Sequence, residues 1–286
     1  MEPLEEQAPA KVNLDLRVTG RRPDGYHELD SIVAFTAWAD RLTFARDREL
    51  TLELSGPFAP ALAGQSDNLV LRAARRLADH AGCPPQVRIT LDKRIPVAAG
   101  LGGGSADAAA TLRGLCRLWQ LELTLADLLP LAVELGADVP VCLRSRPARM
   151  RGIGERLEPI ELPALDLVLA NPNRAVATAQ VFGGLGTLAP ACAPDGPIPT
   201  ARADLLAWLR TRGNDLEAPA RRLVPPIAEV IEALRAQPGC RLARMSGSGA
   251  TCFGVFDDAP TAARAARNMR KARPGWWVVS TTTRAA

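Results

Sequence analysis

From Ala10 to Thr19 apolar residues alternate with polar ones. Val12, Leu14, Leu16 and Val18 fall on one side and Lys11, Asn13 and Asp15 on the other, and this period of two predicts a half-buried strand. The turn signal Arg22-Pro23-Asp24-Gly25 ends it and leads to Tyr26 and His27. Alternating or apolar runs at 31–38, 42–45, 50–54 and 87–91 predict further strands. The period then becomes helical. Leu69, Ala73 and Leu77 recur every four residues over 68–80 with Gly82 in the stop position, and Ala108, Leu112, Leu115 and Trp119 mark a helix over 105–119. A third helix is predicted over 125–135, capped by Thr124 with Asp127 three residues on and ended by Gly136. Pro130 falls inside it, where a kink or split is expected.

Beyond this point the pattern predicts a strand at 167–170 and a loop rich in Gly, Pro and Ala over 183–199. Helices at 201–211 and 225–236, strands at 241–245 and 251–256, a helix at 259–271 and a strand at 276–282 complete the chain, with no internal repeat. Strands do not alternate regularly with helices, so the expected fold class is α+β and not a doubly wound parallel sheet. The 286 residues exceed one compact domain, and Glu158-Pro159 and Leu162-Pro163 interrupt the pattern. Two domains are expected, 1–160 and 161–286.

Composition narrows the function classes. Hydrophobic residues make up 47% and charged residues 23%, the ordinary globular range, which argues against disorder. The net charge of +4 is scattered, without a basic stripe interleaved with aromatics, so nucleic acid is not an expected partner. No stretch approaches the roughly 20 apolar residues needed to cross a bilayer, and the acidic start Met-Glu-Pro-Leu-Glu-Glu lacks the features of a signal peptide. The six cysteines are widely spaced, with no Cys-x-x-Cys pair, and are expected to be small buried apolar residues in a reducing cytoplasm. Arginine supplies nearly all the basic charge, leaving Lys11, Lys93 and Lys271 as the only lysines. Biased genome composition explains that scarcity, yet it makes each lysine worth attention.

The most informative stretch is Pro96-Val97-Ala98-Ala99-Gly100-Leu101-Gly102-Gly103-Gly104-Ser105, running into an alanine-rich helix. Four glycines in five positions free the backbone N–H groups to converge on an anion, and a helix start adds unpaired donors and a positive dipole end. A flexible linker before a capped helix is the plainer alternative, although a proline-bounded strand on one side and a helix start on the other disfavour it. A P-loop needs Gly-Lys-Ser/Thr, which is absent, and a dinucleotide fingerprint needs a strand running directly into the first glycine.

The loop resembles the central motif of the galactokinase, homoserine kinase, mevalonate kinase and phosphomevalonate kinase superfamily. Ala10-Lys11-Val12-Asn13-Leu14, Arg22-Pro-Asp-Gly-Tyr26-His27-Glu-Leu, Gly136-Ala-Asp138-Val-Pro140, Gly152-Ile-Gly154-Glu155 and Met245-Ser-Gly-Ser-Gly249 are similar to further stretches of that family, in the same order. Within it, the Pro-Asp-Gly-Tyr-His-Glu segment resembles the branch that phosphorylates an alcohol linked to cytidine diphosphate, in isoprenoid precursor synthesis without mevalonate. The resemblance implies a two-domain fold with its active site in a cleft between the lobes, ATP with Mg²⁺ as cofactor, and a monomer or homodimer.

It also implies roles. Asp138 becomes the base that takes the acceptor hydroxyl's proton, although its spacing alone favours a helix-end aspartate in a local turn bond. Lys11, on the polar face of the first strand, would keep Asp138 ionised and orient the hydroxyl, or simply face solvent. Residues 96–105 would bind ATP, with Ser105 touching a phosphate or Mg²⁺ or serving as a plain cap. The magnesium ligands are otherwise left open, since no carboxylate cage is legible. Tyr26 would stack on the cytosine ring, His27 read its polar edge and Phe182 close the other face, unless Phe182 is the core face of a helix. Asn13 and Thr178 would hold the substrate's polar groups, and Gly247, Ser248 and Gly249 would brace the site or form an ordinary hairpin. Two alternatives stand beside this reading: another kinase of the superfamily, with no use for Tyr26 and His27, and a non-catalytic RNA-binding or regulatory protein.

Overall fold

The computed structural model describes residues 3–65, 67–186 and 196–284. In chain order the elements are β1 (Leu4–Asn13), β2 (Arg17–Arg21), β3 (His27–Arg46), β4 (Thr51–Ser55), α1 (Leu69–Ala81), β5 (Val87–Asp92), α2 (Gly103–Trp119), α3 (Leu125–Leu135) and α4 (Val139–Arg144). There follow β6 (Ala148–Gly152), β7 (Arg156–Pro159), β8 (Asp166–Asn171), α5 (Thr178–Gly183), α6 (Arg202–Thr211), α7 (Glu217–Leu223), α8 (Pro226–Arg235), β9 (Cys240–Met245), β10 (Cys252–Phe256), α9 (Ala259–Ala272) and β11 (Trp277–Thr282). The fold is α+β, as the irregular order of strands and helices implies. Part of the loop expected over 183–199, residues 187–195 with Cys192, lies outside the described residues.

Two compact units divide the chain. The first comprises 1–10, 38–97 and 102–145, and the second 11–37, 98–101 and 146–286. A single boundary near residue 160 does not describe them, because β1 and the 20-residue β3 each run from one unit into the other. The runs at 31–38 and 42–45 are therefore one strand.

In the first unit, the end of β3 pairs antiparallel with β5, and β5 pairs parallel with β4. α1 begins where the Asn68 side chain accepts from the Val70 N–H and ends at Gly82 in the left-handed conformation. α3 carries the expected reciprocal cap between Thr124 and Asp127 and runs as one helix through Pro130, which forgoes a single N–H bond at a φ the helix accepts.

In the second unit, β11, β8, β10 and β9 form an antiparallel sheet in that order. Val168 and Ala170 of β8, with Cys252 and Phe256 of β10, present every second residue to α8 and α9, which bury Ile227, Val230, Ile231 and Leu234 and Ala262, Ala265, Ala266 and Met269 in one core. The strand expected over 10–19 is broken at 14–16. The Asp15 carboxylate accepts the Ile32 N–H at 2.6 Å, and Leu16 turns to the 213–214 segment. Nor is this strand half-buried: every residue from Ala8 to Leu16 is buried, the polar ones included. Of the described cysteines, Cys116, Cys142 and Cys252 are buried as expected, whereas Cys83 and Cys240 are half-buried.

Gly114 sits mid-way along α2 against the buried ring of Phe44, where a Cβ would come within 2.8 Å of two further ring atoms beyond the nearest. Alanine would gain about 1 kcal/mol of helix propensity, but overpacking a filled core costs about 1–3 kcal/mol. Gly114→Ala is therefore expected to lower the urea midpoint at constant slope, and a raised midpoint would show that the Phe44 ring yields.

Candidate active site

The glycine-rich segment is split between the units, with 98–101 in the second and 102–105 in the first. In the first unit, Gly102 at φ +62° turns the chain into α2, which starts at Gly103, two residues before the expected Ser105. The first-turn amides at 103–105 have no intrahelical acceptor, and no side chain caps them. Gly104 is exposed, and Gly103 and Ser105 are half-buried, so this positive helix end opens to solvent.

Beneath it lies a buried charge cluster. Lys93 Nζ donates to Asp40 Oδ2 at 2.6 Å and to the Asp107 carboxylate, and a Cβ on Gly103 would lie 3.2 Å from that nitrogen. Asp40 Oδ1 also accepts the N–H groups of Arg94 at 2.5 Å and Ile95 at 2.8 Å. Burial opposes the Lys93 charge, but the Asp107 and Asp40 carboxylates outweigh it and hold the ammonium above its usual value. Burial pushes the Asp107 carboxyl up to about 8, against the pull of Lys93. One Asp107 oxygen accepts no hydrogen bond from the described residues, whereas both Asp40 oxygens do. Asp40 and Asp107 carry no signal of their own in the sequence. The scarcity of lysine is the one signal that points to Lys93. Also in this unit, half-buried Asp138 stands at the N-cap of α4, ahead of Pro140 in its first turn.

In the second unit, Lys11 and Asn13 of β1 lie beside both glycine segments. The Lys11 N–H donates to the Leu101 carbonyl at 2.9 Å, and the Asn13 N–H donates to Ser246 Oγ at 3.1 Å. Ser246 Oγ donates to the Gly100 carbonyl at 3.0 Å, and the Thr251 N–H to that of Ala99 at 3.1 Å. A Cβ on Gly100, at φ +74°, would lie 2.5 Å from the Ser246 carbonyl oxygen and 2.8 Å from the Gly249 nitrogen, so backbone meets backbone here and only glycine fits. Lys11 is buried, and not exposed on a polar face.

The hydroxyls of Thr178 and Ser248 lie 2.9 Å apart. Phe182, on α5, packs on the core and stacks on His27, with ring centroids 5.0 Å apart and an interplanar angle of 24°. The pair borders a hollow of about 320 Å³ that Thr19, Gly20 and Arg21 also line. Burial, then the charge of Arg21, holds the His27 imidazole below its usual value. Tyr26 is 60% exposed and does not line that hollow. Among the described residues, no group of three or more His, Cys, Asp or Glu side chains is arranged to hold a metal ion, and no helix is long and apolar enough to cross a membrane.

Comparison with known proteins gives the family. Residues 68–146 match the GHMP kinases N terminal domain, and residues 200–275 match the GHMP kinases C terminal model. A 4-diphosphocytidyl-2-C-methyl-D-erythritol kinase of Rhodospirillum rubrum is 52% identical, over 95% of this chain and 90% of its own length. Its counterpart in Parvibaculum lavamentivorans is 51% identical, over 96% and 97%. A crystal structure of 4-(cytidine 5'-diphospho)-2C-methyl-D-erythritol kinase superposes with a TM-score of 0.78 at 40% identity, covering 99% of this chain and all of that one. The chain belongs to the GHMP kinases, and it is accordingly an ATP-dependent kinase of a small-molecule acceptor.

Lys93→Met would leave two buried carboxylates facing each other and is expected to cost about 3–5 kcal/mol in chemical denaturation. Asp107→Asn keeps the Lys93–Asp40 pair and should cost less than half of that. A carboxyl whose folded value lies above its unfolded one holds its proton better in the fold, so its contribution declines as pH rises between 3.8 and about 8. Asp107→Asn should flatten that part of the stability profile, and an unchanged slope would place the titration elsewhere.

Proposed function

We propose that the enzyme transfers the terminal phosphoryl group of ATP to the 2-hydroxyl of 4-diphosphocytidyl-2-C-methyl-D-erythritol, a step of isoprenoid precursor synthesis by the non-mevalonate route. The observation that carries this reading is the identity of about half, over nearly the full length, with kinases of that name. The open amide end of α2 supports it, because backbone donors and the helix dipole favour a polyphosphate there.

In this reading the segment 96–105 holds the ATP phosphates, and the Ser105 hydroxyl lies among them. Mg²⁺ would be held chiefly by the ATP phosphates and water and not by this positive helix end, with the Ser105 hydroxyl as the protein oxygen nearest to them, and it would supply charge neutralisation on the transferring group. The acceptor hydroxyl gives its proton to the Asp138 carboxylate, its oxygen attacks the terminal phosphorus, and ADP leaves. Lys11 orients that hydroxyl. The stacked rings of His27 and Phe182 beside their hollow suit a flat heterocycle, with Tyr26, Asn13 and Thr178 as further substrate contacts. The 247–249 turn braces the loop through Gly100. The first unit carries most of the ATP-binding residues and the second most of the acceptor-binding ones.

Incubation with ATP, Mg²⁺ and 4-diphosphocytidyl-methylerythritol should give ADP and a monophosphorylated product, and no ADP release above background would reject the assignment. Asp138→Asn should bind ATP normally and turn over roughly 10²- to 10⁴-fold more slowly. Tyr26→Ala should raise the KM of the alcohol while leaving that of ATP in place. An unaffected alcohol KM would favour another kinase of the family.

A further inference from the structure

Asn13 is 4% exposed, and its side-chain carbonyl oxygen accepts no hydrogen bond from the described protein groups. A buried amide oxygen without a donor is unfavourable, which marks this atom as an acceptor kept for a ligand.

The direction in which the amide points is fixed by its neighbours. Asn13 Nδ2 lies 2.8 Å from Ser31 Oγ, and Ser31 Oγ lies 2.5 Å from the Asp15 backbone carbonyl oxygen. A hydroxyl has one proton to give. Two oxygens at 2.5 Å must share a proton, so Ser31 donates to Asp15 and meets Asn13 only as an acceptor. The amide must therefore turn its NH₂ to Ser31 and its oxygen away.

Asp15 is itself immobilised, by the Ile32 N–H at 2.6 Å and by the buried Arg212 guanidinium. The Asn13 oxygen lies toward the second glycine turn, where a Cβ on Gly247 would lie 3.2 Å from it.

We propose that Ser31 is a positioning residue that sets the polarity of substrate recognition. Through Ser31, Asn13 offers an acceptor. The substrate group seated there is a hydrogen-bond donor, a hydroxyl or an amine N–H, and not a carbonyl, ether or phosphate oxygen. The identity of that substrate rests on the kinase reading above, whereas the polarity of the amide follows from this chain's own hydrogen bonds.

Ser31→Ala removes the acceptor and frees the amide to turn over, while Ser31→Thr keeps the hydroxyl. With ATP and 4-diphosphocytidyl-methylerythritol, Ser31→Ala should raise the KM of the alcohol about tenfold, the equivalent of one hydrogen bond. It should leave the KM of ATP unchanged, and Ser31→Thr should restore the wild-type value. An unchanged alcohol KM, an equal rise in both constants, or failure of Ser31→Thr to restore would overturn the proposal. Should Ser31→Ala not fold, Ser31→Cys, a weaker acceptor of similar shape, takes its place. A second readout needs no activity. In ¹H–¹⁵N spectra of the substrate-free protein, the Asn13 side-chain amide protons should exchange with water at least about tenfold more slowly than in Ser31→Ala. Equal exchange overturns the polarity argument whether or not the wild type turns over. Slow wild-type exchange with no turnover rejects the assigned alcohol and leaves the role of Ser31 standing.

Discussion

The start of α2 is fixed by one buried cation. The ammonium of Lys93 ties Asp40, in the middle of a long strand, to Asp107, on the second turn of the helix, and Asp40 also fixes the backbone at Arg94 and Ile95. A helix whose first-turn amides are left without partners gains nothing from them for its own stability. Its orientation must come from elsewhere, and here an ion pair in a low-dielectric setting supplies it.

The second unit buries a network of polar and charged groups. Residues 11–16 are all buried, which in most strands would mean continuous apolar sequence. Instead Lys11, Asn13 and Asp15 carry polar groups inward, where Ser31, Ser246 and Arg212 meet Asn13 and Asp15. Such a network rigidifies its members when they are satisfied and exposes the one that is not. The Asn13 oxygen is left without a hydrogen-bond partner among the described residues, as are two nitrogens of Arg212, and it borders the turn that Gly100 touches.

Much of the fold was legible from periodicity. α1, α3, α6, α8 and α9 and the strands β5, β8, β9, β10 and β11 lie within a residue or two of the expected spans, because long amphipathic patterns and caps such as Asn68, Thr124 and Asp258 carry local information. The short elements α4, α5 and α7 and the hairpin of β6 and β7 were not, since four to seven residues hold too little of any period. Alternation at 10–19 suggested a solvent-facing side that does not exist, because a pattern of polar residues cannot distinguish water from a buried network. The glycine loop, Asp138 and the 245–249 turn were visible as sequence. Within the first unit Asp40 and Asp107, and within the second Ser31, are common residue types whose partners lie far off along the chain, so no local pattern marks them.

The two units also have different histories during synthesis. Every residue of the first has been translated once Ser145 is made, so its strands and helices can associate while the remainder is still being built. The stretch 11–37 must wait. Leu16 pairs with residues 213–214, and Thr36 with Thr283, while the Phe35 carbonyl accepts the Arg284 N–H. This stretch is therefore made more than 150 residues ahead of the partners that close it, and the surface they cover waits for them.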